Sequence, residues 1–370
     1  PSESVNTTAC IIASKLGARK TVARIDNYEY LLPKNKEMLK NLGIDKLIYP
    51  EVLAATEIVQ SLKRSWIREY RTFSNEALVL VCVKVRENAE IINKVFSTGF
   101  FNHSMYRIVA VKRHTTTIIP SGNDQILADD LVYFICTKEN LEYVRTAAGK
   151  TKFDIKNIII MGGSKIALKT VQYLPNDINV KIIESDRERC YELADKTDTL
   201  IIHGDGRNVD LLKDEGIEDA DAFIALTNNS ETNVLACLAA KRFGLRKTIA
   251  EVENIDYIDL ADNLDIGSLI NKKLIAASHI YQQTLDEDAY DVQCLTYSDA
   301  EVVEFAVKAG DKITKDRVRN LNLPEDVNIG GVVRNGKGYV VNGNTVILPG
   351  DHVVIFCKAT AVPKLAKFFN

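Results

Sequence analysis

The sequence has no surplus of charge: 47 Lys and Arg stand against 50 Asp and Glu in 370 residues. Nothing global therefore drives it toward nucleic acid or an anionic lipid surface. It also lacks a helix-turn-helix pattern and a basic stripe, so no nucleic-acid partner is expected. No apolar run approaches the roughly 18 residues that span a bilayer, so direct membrane insertion is not expected. A role in transport would need another chain to form the pore. The seven cysteines (Cys10, Cys82, Cys136, Cys190, Cys237, Cys294 and Cys357) show no CxxC spacing and lie mostly in apolar runs such as 79–85 and 353–357. That pattern fits buried free thiols in a reducing cytosol, not a disulfide frame or a zinc site. The histidines, His103, His114, His203, His279 and His352, recur at no paired position and have no metal-ligand spacing. What the chain does have is core material, 46% hydrophobic residues, enough for two to four domains.

Internal repetition is the strongest signal. Residues 5–30 align without a gap on 232–257, and eleven positions are identical, among them Asn6/Asn233, Cys10/Cys237, Gly17/Gly244 and Tyr30/Tyr257. Farther on, DLVYFIC (130–136) lies against DHVVIFC (351–357), and Arg113 against Arg334. The chain thus reads as two copies of one unit. Residues 155–227 have no counterpart in the first copy, so that copy is expected to be incomplete, with about 73 residues preceding Pro1 in a whole protein.

The second copy alternates strand and helix patterns: strands at 157–161, 179–184, 199–202, 222–226 and 248–252, with helices at 165–174, 188–196, 209–215 and 231–243 between them. Such alternation predicts an α/β, doubly wound, parallel-sheet Rossmann-type domain. From about 286 short strands with turn signals follow, including Asn335-Gly336 and Pro349-Gly350-Asp351, with helical pieces near 316–321 and 362–369. This predicts a small α+β C-terminal subdomain. The expected division is 1–65 (the end of the first Rossmann-type domain with its crossover helix), 66–150 (first α+β subdomain), 154–285 (complete Rossmann-type domain) and 286–370 (second α+β subdomain).

After the first strand of the complete unit comes Gly162-Gly163-Ser164-Lys165-Ile166-Ala167, where a dinucleotide fold carries its glycine-rich turn. The first glycine permits a tight turn, the middle position lets backbone N–H groups approach phosphate, and the helix N-terminus stabilises the anion. Ser164 replaces the middle glycine; its hydroxyl can donate to phosphate and its side chain can crowd it. Glu184 ends the second strand, where a carboxylate accepts from a ribose hydroxyl and disfavours a 2′-phosphate.

The runs IIIMGGSKIA, IIESDRERCYELA, HGDG (203–206) and DAFIALTNNSETNVLACLAAKRFGLRKTIAEV resemble the nucleotide-binding domain of the RCK/KTN family, which regulates potassium conductance. The α+β units resemble that family's C-terminal subdomain, and two tandem copies resemble its Trk-type branch. The resemblance implies a non-catalytic NAD(H) or ATP/ADP ligand, held at its phosphates by Gly162 to Ile166 and at its ribose by Glu184. Thr227 and Asn228 would close the crevice, with Gly204 and Asp205 bordering it. At matched positions the fifth strand ends in Arg24 in the first copy and Glu251 in the second. An arginine there would pair with phosphate and a glutamate would repel a polyphosphate. The implied partner is a TrkH/TrkG-like integral membrane potassium-translocating subunit, contacted from the cytoplasm.

Segments 50–62 and 272–285 carry apolar residues at helical spacing (Leu53, Ile58 and Leu62; Leu274, Ala277, Ile280, Tyr281 and Leu285). The resemblance makes them crossover helices, and self-association to a dimer or tetramer is expected through them. The competing reading is an NAD-dependent oxidoreductase. Hydride transfer needs a proton donor and a substrate anchor beside the cofactor, and no such set is legible, so no enzyme is expected.

Overall fold

The structure is a computed structural model that describes residues 2–101, 104–284, 289–298 and 300–369. His103 and Leu285, named above, and the boundary at 285/286 lie outside the described residues.

The first unit opens with α1 (Glu3–Lys15), β1 (Val22–Arg24), α2 (Pro33–Asn41), β2 (Lys46–Ile48) and the crossover helix α3 (Pro50–Lys63). Pro33 and Pro50 stand at the first helical position, where the missing N–H costs no hydrogen bond. An antiparallel domain follows: β3 (Glu69–Phe73), β4 (Leu78–Lys84), β5 (Tyr106–Arg113), β6 (Thr116–Ile118), β7 (Leu131–Cys136) and α4 (Leu141–Ala147).

The second unit runs β8 (Asn157–Met161), α5 (Lys165–Tyr173), β9 (Asn179–Glu184), α6 (Arg187–Ala194), β10 (Leu200–His203), α7 (Val209–Asp214), β11 (Ala222–Ala225) and α8 (Ser230–Arg242). It continues through β12 (Lys247–Glu251), α9 (Asp256–Asn263), β13 (Ser268–Ile270) and α10 (Lys272–Thr284). Its parallel sheet has the order β10-β9-β8-β11-β12-β13, which reverses direction between β8 and β11 as in a Rossmann fold. The central strand β11 is buried along its whole length, which explains its unbroken apolar run; β12 is equally buried but carries Lys247 and Glu251 at its ends. The chain ends with β14 (Ala289–Cys294), β15 (Ala300–Ala306), β16 (Val327–Arg334), β17 (Lys337–Val340), β18 (His352–Lys358) and α11 (Val362–Leu365).

The duplication is visible as topology. One five-stranded sheet has the order β3-β4-β7-β5-β6 and the other β14-β15-β18-β16-β17, the same path strand for strand. Single bonds repeat as well. Cys10 Sγ donates to the Val22 carbonyl at 3.4 Å, and Cys237 Sγ to that of Ile249 at 3.4 Å. Asn335 and Gly336 both have positive φ, 51° and 74°, the backbone of a type I′ turn between β16 and β17. The helical pieces expected near 316–321 and 362–369 are shorter than the pattern suggested, single 3₁₀ turns and the four-residue α11.

The two units are packed together in several places, two of them apolar cores. The antiparallel sheets share a core in which the Tyr133 and Phe356 rings lie 5.6 Å apart, and Arg107 reaches across to accept-only partners, Asn328 Oδ1 at 2.9 Å and the Val341 carbonyl at 3.1 Å. The second core involves the two crossover helices, which pack against each other. The apolar face of α3 (Ala54, Ala55, Ile58 and Leu62) is buried within the chain, in one core with Ile158, Ile160 and Ile166 of the second unit and beside α5 and α10. It joins the two copies of one chain, while α10 still exposes Ile280 and Tyr281. Trp66 packs half-buried against the core of the first antiparallel domain.

Candidate functional site

A crevice of about 510 Å³ opens at the carboxyl ends of β8, β9, β10 and β11, at the point where the strand order reverses. Gly162 makes the turn out of β8 with φ of 96°, and a Cβ there would come within 2.9 Å of the Leu226 and Thr227 backbone. Only glycine lets β8 turn this close to β11. At Gly163 a Cβ would meet the Leu193 side chain and lie 3.0 Å from Glu184 Oε2. Ser164 is the N-cap of α5, its Oγ accepting from the Ala167 N–H at 3.3 Å, which leaves the hydroxyl proton able to donate.

Glu184, at the end of β9, accepts from the Gly163 N–H at 2.6 Å through Oε2 and from the Asp186 N–H at 2.8 Å through Oε1. The carboxylate therefore sits on one of the N–H groups that a phosphate would use. Thr227 is fixed by Asn233, fully buried in α8. The Asn233 Oδ1 accepts from the Thr227 N–H at 3.0 Å and hydroxyl at 2.6 Å, and its Nδ2 donates to the carbonyls of Thr227 and Glu251 at 2.8 and 2.9 Å. One amide thus ties together β11, α8 and β12. Asn6, its counterpart, donates to the Arg24 carbonyl at 3.0 Å. Asn229 caps α8 by accepting from the Thr232 N–H.

Gly162, Gly163, Ser164, Glu184, Gly204, Asp205, Thr227 and Asn228 all line the crevice. Four of the expected residues do not. Ile166 is buried in the core beneath α5, and Lys165 turns its ammonium to the Asp26 carbonyl at 3.0 Å. Glu251 does not face the phosphate turn; it is buried at the end of β12, with Lys272 Nζ 3.3 Å away. Burial pushes its carboxyl up and Lys272 works against that. A strand-end position does not reveal on which side of the sheet a side chain leaves, and here it leaves toward α10. Arg24 is half exposed and pairs with Asp26 at 3.5 Å.

Two cations at the crevice were not anticipated. Arg189, in the first turn of α6, donates through Nε to the Gly163 carbonyl at 2.8 Å and lines the crevice. Arg207 forks onto Asp205 with distances from 2.7 to 3.1 Å, and that hydrogen bonding holds the Asp205 carboxyl below the usual carboxylate range. The available signal was position: Asp186 caps α6 by accepting from the Arg189 N–H at 3.0 Å, which places the next residues over the sheet's carboxyl edge. Three features favour a nucleotide here: two glycines whose Cβ would clash, the N-terminus of α5 at the crevice, and a strand-end carboxylate in a crevice also lined by two guanidinium groups.

The reversed parallel sheet, its glycine turn and the appended five-stranded domains define a duplicated RCK-type fold. Among family models, a TrkA-N domain matches residues 158–272, and a TrkA-C domain matches twice, at 80–149 and 302–370. The Trk system potassium uptake protein TrkA of Halomonas elongata is 30% identical over 364 residues, which cover 96% of this chain and 79% of that protein. Those of Vibrio alginolyticus, at 30% over 365 residues, and Haemophilus influenzae, at 29% over 379, cover 79% and 82% of the relatives' lengths and 96% and 100% of this chain. The chain belongs to the TrkA family of Trk system potassium uptake proteins. Among solved structures, the GsuK RCK domain shares the fold at a TM-score of 0.55 and 14% identity, covering 100% of this chain and 79% of that one. A GsuK channel bound to NAD gives 0.54 at 14% identity, covering 100% of this chain and 66% of that one.

Proposed function

We propose that this chain is a nucleotide-binding gating subunit of a Trk-type potassium uptake system and not an enzyme. The observation that carries the reading is the clash-limited turn at Gly162 and Gly163, set at the switch point of the sheet beside Glu184. NAD(H) or ATP/ADP would lie with its phosphates against the N-terminus of α5 and the Ser164 hydroxyl, and its ribose at Glu184. Thr227 and Asn228 would form one wall and Gly204 and Asp205 the other, with Arg189 and Arg207 supplying counter-charge. The fold-sharing GsuK channel solved with NAD supports the choice of ligand. When bound, the nucleotide supplies negative charge where the sheet's carboxyl edge collects N–H donors.

Glu184 gives the site a two-state character. For a phosphate to reach the Gly163 N–H the Glu184 carboxylate must release it, and a ribose diol offers that oxygen replacement donors. One acceptor replaces another, so binding costs little unpaired backbone while shifting the loop between β9 and α6. A difference in affinity between two arrangements is what a ligand needs to move a gate. The force would pass to a TrkH/TrkG-like membrane subunit from the cytoplasmic face, with the chain acting as a dimer or tetramer. Because Glu251 is turned away, it gives no ground for preferring a diphosphate to ATP; discrimination against a 2′-phosphate remains with Glu184.

Calorimetry with NADH, NAD, ADP and ATP tests the reading. At least one is expected to bind, and Glu184→Gln is expected to weaken NADH by roughly tenfold while improving NADPH relative to it. No binding by any of the four, or a Glu184→Gln protein identical to wild type, would overturn the assignment. The oxidoreductase reading is tested by steady-state NADH oxidation with small carbonyls, which is expected to be nil.

A further inference from the structure

The start of β12, at the opposite end of the strand from the crevice, meets the first antiparallel domain and the linker between the units. Five residues of strand put this edge about 13 Å from the carboxyl end. A cavity of about 350 Å³ lies there. Arg68, Lys84 and Arg86 reach it from the first antiparallel sheet and Lys150 from the linker. Lys241, Arg246 and Lys247 reach it from the end of α8 and the start of β12. No carboxylate is among its lining residues.

The neighbouring acids do not balance this charge. Asp265 is shared by Arg68, Arg86 and Lys241. Asp262 takes Lys84 at 3.3 Å, and Asp129 also takes Arg86. Three carboxylates thus serve four of the seven cations, and Lys150, Arg246 and Lys247 form no ion pair among the described residues. Lys247 is satisfied by neutral acceptors, the Ile67 carbonyl and Ser268 Oγ, both at 3.0 Å. Burial, then Arg86 and Arg68, push Lys150 down to about 8; burial, then Arg68 and Lys241, push Lys247 down to about 7. Arg68 Nη1 is buried without a hydrogen-bond partner. Concentrating cations in a half-enclosed space costs stability unless an anion joins them. The cavity also carries flat surfaces: Trp66 lines it, and the Arg246 guanidinium stacks 4.0 Å over Phe153.

We propose that this junction cavity binds a phosphorylated small-molecule anion, a compact di- or polyphosphate either free or carried by a nucleotide, and that the anion clamps the first unit to the second. Arginine forks and lysine ammonium groups drawn from four segments suit a ligand with several phosphate oxygens. Contact with both units gives that ligand leverage over their relative position that the crevice, built from the second unit alone, does not have.

Trp66 is the single tryptophan of the chain, so its fluorescence reports on this cavity directly. The full chain would be titrated with inorganic pyrophosphate and, separately, with ATP. A saturable change in Trp66 emission is expected, with affinity falling by roughly tenfold or more in a Lys150→Gln/Arg246→Gln double variant. A response to pyrophosphate identifies the phosphate group as sufficient, and a response to ATP alone identifies a nucleotide-borne ligand. Absence of a saturable response to either, or a response unchanged in the double variant, would overturn the proposal. If that variant melts below wild type, Lys150→Gln alone is read by the same criterion. Removing its unpaired charge is expected to hold or raise the melting temperature in low salt, and without loss of affinity in this single variant the proposal fails.

Discussion

Asp130 and Asp351 are almost wholly buried, and each is held by one arginine in the same fork: Arg113 at 2.9 and 2.8 Å, Arg334 at 2.8 and 2.7 Å. Each aspartate also accepts a backbone N–H at 2.8 Å, from Leu127 and Leu348. Removing one partner strands the other, so Asp130→Ala and Asp351→Ala are each expected to cost about 3 kcal/mol in urea denaturation. Arg113→Lys should lose part of this, because a lysine cannot fork. At Gly162 an alanine meets backbone on a left-handed φ, so Gly162→Ala should lower stability by about 1–3 kcal/mol and abolish nucleotide binding together; calorimetry and thermal melts check both. Both members of these Arg–Asp pairs were legible as recurring at one offset in the repeat, but their pairing was not, since recurrence does not say which side chains meet. Nor was the side to which Glu251 turns, since alternation along β12 fixes a side chain's face only once its neighbours' packing is known.

The crossover helix α3 shows the same limit for elements. Its apolar stripe announces burial but not against what, and the partner proves to be the other copy's Rossmann core. Ile58, fully buried, should cost about 2–5 kcal/mol as Ile58→Ala. If the two units unfold together, both the near-ultraviolet signal and proteolysis of the second unit will respond. An undisturbed second unit would show that α3 only decorates it. The long strands and helices of the Rossmann domain were legible from their periodicity, and β8 and β9 fall at the expected residues. The three-residue β13 was not, because a strand that short has no period to read.

The molecule as a whole carries two opposing titrations. Lys247, ordinarily near 10.5, is held down to about 7, so between those values the unfolded chain binds a proton that the folded one does not, and stability rises with pH. The buried thiols Cys136, Cys237 and Cys357, ordinarily near 9.0, are pushed up to about 12 by desolvation. Above 9 the folded chain retains protons that the unfolded one gives up, and stability falls. Lys150, pushed down to about 8, adds to the rise, so the melting temperature should climb from pH 7 to a maximum at about 9, with stability gaining a few kcal/mol at most. Lys247→Met should flatten the climb; a wild-type maximum below pH 7 would contradict the burial of Lys247.

Because the docking of α3 onto the second unit is made within one chain, its strength is set by a tether and not by how much protein is present. Two units joined this way meet at an effective concentration in the millimolar range, far above that of separate chains in dilute solution. The internal pair should therefore persist at dilutions that dissociate any contact between chains. Fusion also frees the two halves from having to be identical, so each can drift toward its own ligand while the pair stays together.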